Sequence, residues 1–114
     1  MQAPQQAVLL RIFTTEGARE GGRPLYEAII RRARDARLAG ATVLRGPMGF
    51  GASAKLHNAN IIDLAADLPL VIEIVDADEK LRPFVAALEG MADIGLVTFE
   101  KVEVVHYGKG GRRD

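Results

Sequence analysis

Three glycines within six positions, Gly46, Gly49 and Gly51, open the stretch GPMGFGASAKLHNAN (46–60), and Arg45, Lys55 and His57 flank them. Glycine lets the backbone turn and approach a ligand closely, so that N–H donors can face an anion. The flanking cations and the imidazole would hold the same charge. The spacing is neither GxGxxG nor a Walker A loop. By itself the stretch therefore reads either as a surface loop or as an anion- or nucleotide-contacting one. Catalytic constellations are scarce. His57 and His106 lie far apart without ligand spacing such as HxxxH. Ser53 is the only serine, and no nucleophile elbow surrounds it. Asp76, Asp78 and Glu79 match the cap of a helix better than an acid–base pair.

Composition narrows the classes further. The 114 residues are 48% hydrophobic and 26% charged, which is ordinary for one globular domain and argues against disorder. Zero cysteines exclude disulfides, zinc thiolates and iron–sulfur clusters. The start, MQAPQQAVLLRIF, lacks a basic n-region, and its apolar run is too short for a span, so a cytoplasmic location without membrane insertion is expected. Net charge is zero, yet the first half carries nine Lys/Arg against four Asp/Glu and the second half six against eleven. Such opposed halves suit self-association or an anionic ligand near the basic part. Arg31, Arg32, Arg34 and Arg37 cluster without interleaved aromatics, so nucleic acid is not expected as a partner.

The elements that must position the loop follow from periodicity. Ala7–Thr14 is a short apolar run with β-branched members, a largely buried strand. Pro24 suits a first helical turn, and Leu25, Ile29, Ala33 and Ala36 fall at helical spacing, predicting a helix over 24–39 that stops at Gly40. Ala41–Arg45 reads as a second strand, and in 46–60 neither period survives. Residues 61–66 fit a strand end or a helical turn equally well. Leu70–Val75 is the strongest strand, although Glu73 marks one of its faces as not sealed in an apolar core. Asp76 and Glu79 are spaced like a capping box, and Leu81, Phe84, Val85 and Leu88 form the stripe of a second helix. Pro83 predicts that its regular part begins near Glu79 or Lys80. Leu96–Tyr107 alternates as a long last strand, which would contain His106. Residues 1–6 and 108–114 read as tails.

The order β-α-β-loop-β-α-β is the split βαβ pattern: one ferredoxin-like α+β domain over 1–114, a four-stranded antiparallel sheet with two helices on one face. The other face is uncovered, with Arg11, Glu73 and Lys101 or Glu103 as its mixed residues. A half-apolar open face of this kind invites self-association.

LYEAI (25–29), AGATVLRGPMGFGAS (39–53), LPLVIEIVDADEK (68–80) and the closing VTFEKVEVVHY (97–107) together resemble the PII-like superfamily, most closely its small group of unknown function. The resemblance spans about Val8 to Tyr107. It implies a homotrimer with the open sheets inward and ligands in clefts between subunits. It also implies that the 46–60 loop reports occupancy to a protein partner. An adenine nucleotide is the ligand the resemblance suggests, with Arg45, Gly46, Gly49, Gly51, Ala52, Ser53, Lys55 and His57 as candidate contacts. Two departures stand out. Ala52 and Ser53 occupy the positions of an arginine and a glutamine in PII proteins. The turn Met91–Gly95 replaces a glycine-rich, lysine-bearing phosphate loop, leaving only the tail residues Lys109, Arg112 and Arg113 as substitutes. The loop has no tyrosine for uridylylation.

Three functions follow as alternatives. The leading one is a non-enzymatic, ligand-sensing regulatory trimer. The second is a ligand-independent subunit docking through its loop onto a partner such as an ion transporter, as the resemblance suggests. An acylphosphatase-like enzyme is the third, and the segment TEGAREGGR lacks the glycine–valine framework it would require.

Overall fold

The computed structural model describes residues 5–51, 57, 58 and 67–108. The strands β1 (Gln5–Thr15), β2 (Thr42–Arg45), β3 (Pro69–Asp76) and β4 (Val97–Val104) form one antiparallel sheet in the order β2-β3-β1-β4. The helices α1 (Leu25–Asp35) and α2 (Asp78–Leu88) cover one face of it. This is the ferredoxin-like α+β arrangement expected from the order of elements.

The covered face is built by period-2 alternation meeting two helical stripes. Leu10, Ile12, Ile72 and Ile74 from β1 and β3 pack against Leu25 and Ile29 of α1 and Leu81 of α2, all with almost no exposed surface. Phe84 and Leu88 extend the α2 stripe as anticipated.

Both helices differ from expectation at their ends. Helix α1 stops at Asp35, several residues before Gly40. Arg37 takes the left-handed conformation (φ 59°) just after the C-cap residue Ala36. Its N–H donates to the Arg34 carbonyl at 3.0 Å, and the Leu38 N–H donates to the Ala33 carbonyl at 3.1 Å. That bond pair is a Schellman motif, closed here by arginine instead of glycine, with Leu38 buried beside Ala33 as its apolar clasp. Helix α2 begins at Asp78, with Ala77 at the N-cap and no side-chain cap bond, so the expected Asp76–Glu79 capping box is not formed. Pro83 sits inside the helix on its exposed side, where the absent N–H disturbs no core packing.

Strand β4 ends at Val104, which leaves His106 and Tyr107 beyond the strand instead of in it. Its connection from α2 packs closely on β1. The Gly95 N–H donates to the Phe13 carbonyl at 2.8 Å, and a Cβ at Gly95 would stand 3.0 Å from that oxygen.

Candidate functional site

The glycine loop starts as a narrow ribbon. Met48 and Gly49 pair antiparallel with Asn58 and His57, continuing the chain away from the β2 end of the sheet. Gly46 and Gly49 both lie against Pro69, and a Cβ on either would come within 3.2 Å of its ring. The Gly46 N–H already donates to the Pro69 carbonyl at 2.8 Å. None of Gly46, Gly49 and Gly51 uses a left-handed φ. At Gly46 the N–H is thus already engaged, and at both Gly46 and Gly49 the missing side chain makes room for Pro69. Of the three, only Gly51 has no described neighbour within 4 Å of where a Cβ would stand. Arg45 pairs with Glu16 at 3.3 Å, a partner the sequence did not suggest. Ala52, Ser53 and Lys55 lie outside the described residues, and for His57 the backbone pairing is what is described.

The open face carries the more developed site. Register places Leu9, Arg11 and Phe13 of β1 opposite Val75, Glu73 and Val71 of β3, all on the face without helices. On β4 the residues opposite Leu9, Arg11 and Ala7 are Glu100, Thr98 and Val102. Glu100 therefore belongs to this face, whereas Lys101 and Glu103 point to the helix side, correcting the earlier assignment. A one-residue parity in the strand decides this, and alternation within β4 alone does not reveal it.

At the centre Arg11 bridges two carboxylates. Its Nε donates to Glu73 Oε2 at 3.0 Å and its Nη1 to Glu100 Oε1 at 3.1 Å. The hydrogen bond with Glu73, aided by the attraction of both carboxylates, pushes the guanidinium above its ordinary pKa. One cation between two anions leaves this patch net negative within an apolar surround.

Beside the bridge lies a hollow of about 410 Å³, open to solvent. That size falls within the roughly 300–1,000 Å³ of small-molecule sites. Leu9, Val75 and Val104 give it apolar walls, Glu73 and Thr42 supply polar atoms, and His106 and Tyr107 close one side. Its rim is the α1–β2 connection Ala39–Gly40–Ala41. Small residues there bring little beyond backbone to the edge. Apolar walls with a few convergent polar groups suit a flat, partly polar ring better than a multiply charged ion.

The hollow lies at the Thr42 end of β2, whereas Arg45, Gly46 and Gly49 lie at the other end around Pro69. Arg45, Gly46, Gly49 and Gly51 thus do not line this hollow. Of its residues, Glu73 stands out in the sequence as the charge that interrupts an apolar strand, and His106 as one of two histidines. Leu9, Thr42 and Tyr107 look like ordinary strand members until the register is known. Among the described residues no group of three or more His, Asp or Glu side chains could hold a metal ion, and no helix is long and apolar enough to cross a membrane.

Known proteins agree with this architecture. The family model DUF190, described as "Uncharacterized ACR, COG1993", matches residues 7–104. A UPF0166 protein of Aquifex aeolicus (strain VF5) is 39% identical over 98 residues, covering 86% of this chain and 92% of the relative. Among solved structures, CPII, a nitrogen regulatory PII-like protein from Thiomonas intermedia K12 bound to ADP, AMP and bicarbonate, superposes with a TM-score of 0.71. It shares 15% identity, over 90% of this chain and 91% of that one. A second structure of CPII, bound to ADP and bicarbonate, superposes with a TM-score of 0.68 at 19% identity over 90% and 91% of the two chains.

Proposed function

The chain belongs to the DUF190 family and carries a PII-like fold, and from that premise we propose that it is a non-enzymatic regulatory protein whose open-face hollow receives an adenine nucleotide. The carrying observation is the hollow itself: apolar walls from Leu9, Val75 and Val104 beside the Arg11-anchored Glu73 carboxylate. An aromatic base fits such walls, and the carboxylate accepts hydrogen bonds from amino or hydroxyl groups. The ADP and AMP bound by CPII support the same ligand class.

The open face also supports assembly. Apolar Phe13, Val71 and half-exposed Leu44 surround the ion bridge, a surface that self-association as a homotrimer would cover. In that assembly a neighbouring subunit brings its own loop toward the hollow, so the phosphates would meet Arg45, Gly51, Ala52, Ser53, Lys55 and His57. This reading reconciles the two separated sets of candidate residues. Gly46 and Gly49 then serve to seat the loop on Pro69. The loop passes occupancy to a protein partner, and the cytoplasm is the compartment consistent with such a role.

Calorimetry with AMP, ADP, ATP and cyclic nucleotides tests the proposal. One of them should bind once per chain, and Thr42→Trp, which fills the hollow from an exposed edge position, should weaken binding at least tenfold with unchanged folding. Absence of heat across the panel refutes it. A second reading, docking without a small ligand, is favoured by Met48 and Phe50, which are 55% and 72% exposed on the ribbon. Partner capture that is identical with and without nucleotide would select that reading.

A further inference from the structure

The rim of the hollow is held more firmly than a connecting loop requires. Leu38 is anchored in the core, and both backbone polar groups of the next residue, Ala39, are engaged by side chains from distant parts of the chain. The Ala39 N–H donates to Asp76 Oδ2 at 2.8 Å. The Ala39 carbonyl accepts the Tyr107 hydroxyl at 2.8 Å. Asp76 is 3% exposed, and its other oxygen, Oδ1, accepts the Ala77 N–H at 2.6 Å. A buried carboxylate that spends its oxygens on two backbone donors, one of them in the rim, acts as a fixed brace. Tyr107 differs, because it comes from the short segment after β4 and itself forms a wall of the hollow beside His106.

We propose that Asp76 and Tyr107 are positioning residues for the hollow. Asp76 fixes the rim at Ala39, and Tyr107 latches the segment after β4 to that rim so that ligand affinity and docking of this segment are coupled. The proposal rests on the ligand reading above. Ala39, Gly40 and Ala41 form one side of the hollow and Tyr107 another, with one hydrogen bond joining them. A ligand seated between these walls favours the closed latch, and by reciprocity the closed latch favours the ligand. Removing only the hydroxyl breaks that coupling while the ring keeps its place as a wall.

The test is Tyr107→Phe, studied by backbone amide exchange and by ADP calorimetry on the full chain. In the ligand-free protein, exchange at residues 39–42 should quicken about threefold to tenfold, the usual worth of one such hydrogen bond. ADP affinity should fall by a similar factor. The deciding readout is coupling: ADP should slow exchange at 105–108 in the native protein and do so far less in the variant at saturating ADP. A merely structural bond would lower the unfolding midpoint without altering that response. Unchanged exchange at 39–42 in the variant overturns the latch, and so does quickened exchange with unchanged ADP affinity. If the native protein binds no nucleotide of the panel but its rim still responds to Tyr107→Phe, the brace stands while the coupling to ligand and the nucleotide reading both fail. Asp76→Asn, which can no longer accept from both N–H groups, should quicken exchange at Ala39 while Tyr107 remains bonded. Unaltered Ala39 exchange in that variant overturns the role of Asp76.

Discussion

The two faces of the sheet are made from the same strands yet obey different rules. On the helix side, Leu10, Ile12, Ile72 and Ile74 are sealed by α1 and α2 and contribute to one core. On the other side, Leu9, Phe13, Val71 and Val75 alternate with them, half-buried, around a charged bridge and a hollow. The first face is committed to folding, and the second retains surface for something to occupy. Neighbouring residues in sequence therefore carry different consequences when changed.

Ile72 and Val71 give the largest contrast. Ile72→Ala removes a fully buried side chain from the centre of the core and should cost about 3 to 4 kcal/mol in urea unfolding. Val71→Ala, one residue away on the open face, should cost under about 1 kcal/mol in the isolated subunit. Its effect should appear in self-association, as a smaller mass by light scattering at micromolar concentration. Equal losses of folding stability at both positions, with no change in mass, would break the distinction between the faces.

A second contrast is electrostatic. Among the described residues the core cluster contains no charged side chain, whereas the open face holds Glu73 and Glu100 on either side of Arg11. Arg11→Met removes the cation that both carboxylates share. The lost attraction is that of a partly exposed ion network, so it is modest and screened by salt. The variant should be modestly less stable than the native protein in urea unfolding at low salt, and the gap should narrow as salt is raised. Equal stability of the two proteins at low salt would mean that the bridge does not organise this face.

The fold was legible because its signals are local and repetitive. The apolar alternation of 70–75 and the stripes of 25–33 and 81–88 define strand and helix with little dependence on distant residues. The site was less legible for the opposite reason. Glu73 announced an unsealed face, but its partner depended on strand register, and Glu100 was passed over for its neighbours Lys101 and Glu103. Asp76 looked like a helix cap because it precedes a helix, whereas its oxygens serve Ala39 and Ala77. Gly46 and Gly49 read as glycines of an anion-contacting loop, and the sequence did not reveal that both also lie against the ring of Pro69. In each case the residue type was informative and the partner was not.

The smallest contrast concerns the turn that joins α1 to β2. Arg37 carries a Cβ into the left-handed region where glycine is favoured, while Gly40, three residues on, shows no such conformation. Arg37→Gly should remove that conformational cost, offset in part by a more flexible unfolded chain. The net gain should be at most about 0.5 kcal/mol, since the arginine side chain's own interaction is lost as well, and it should be visible as a small rise in the thermal midpoint. The surroundings of Arg37 decide whether the gain is realised, since its carbonyl accepts the Lys80 ammonium at 3.3 Å and links α1 to α2. That bond uses backbone and survives the substitution. A loss instead of a gain would mean that the arginine side chain secures the end of α1, and the rim of the hollow would then depend on the helix layer as well as on Asp76 and Tyr107.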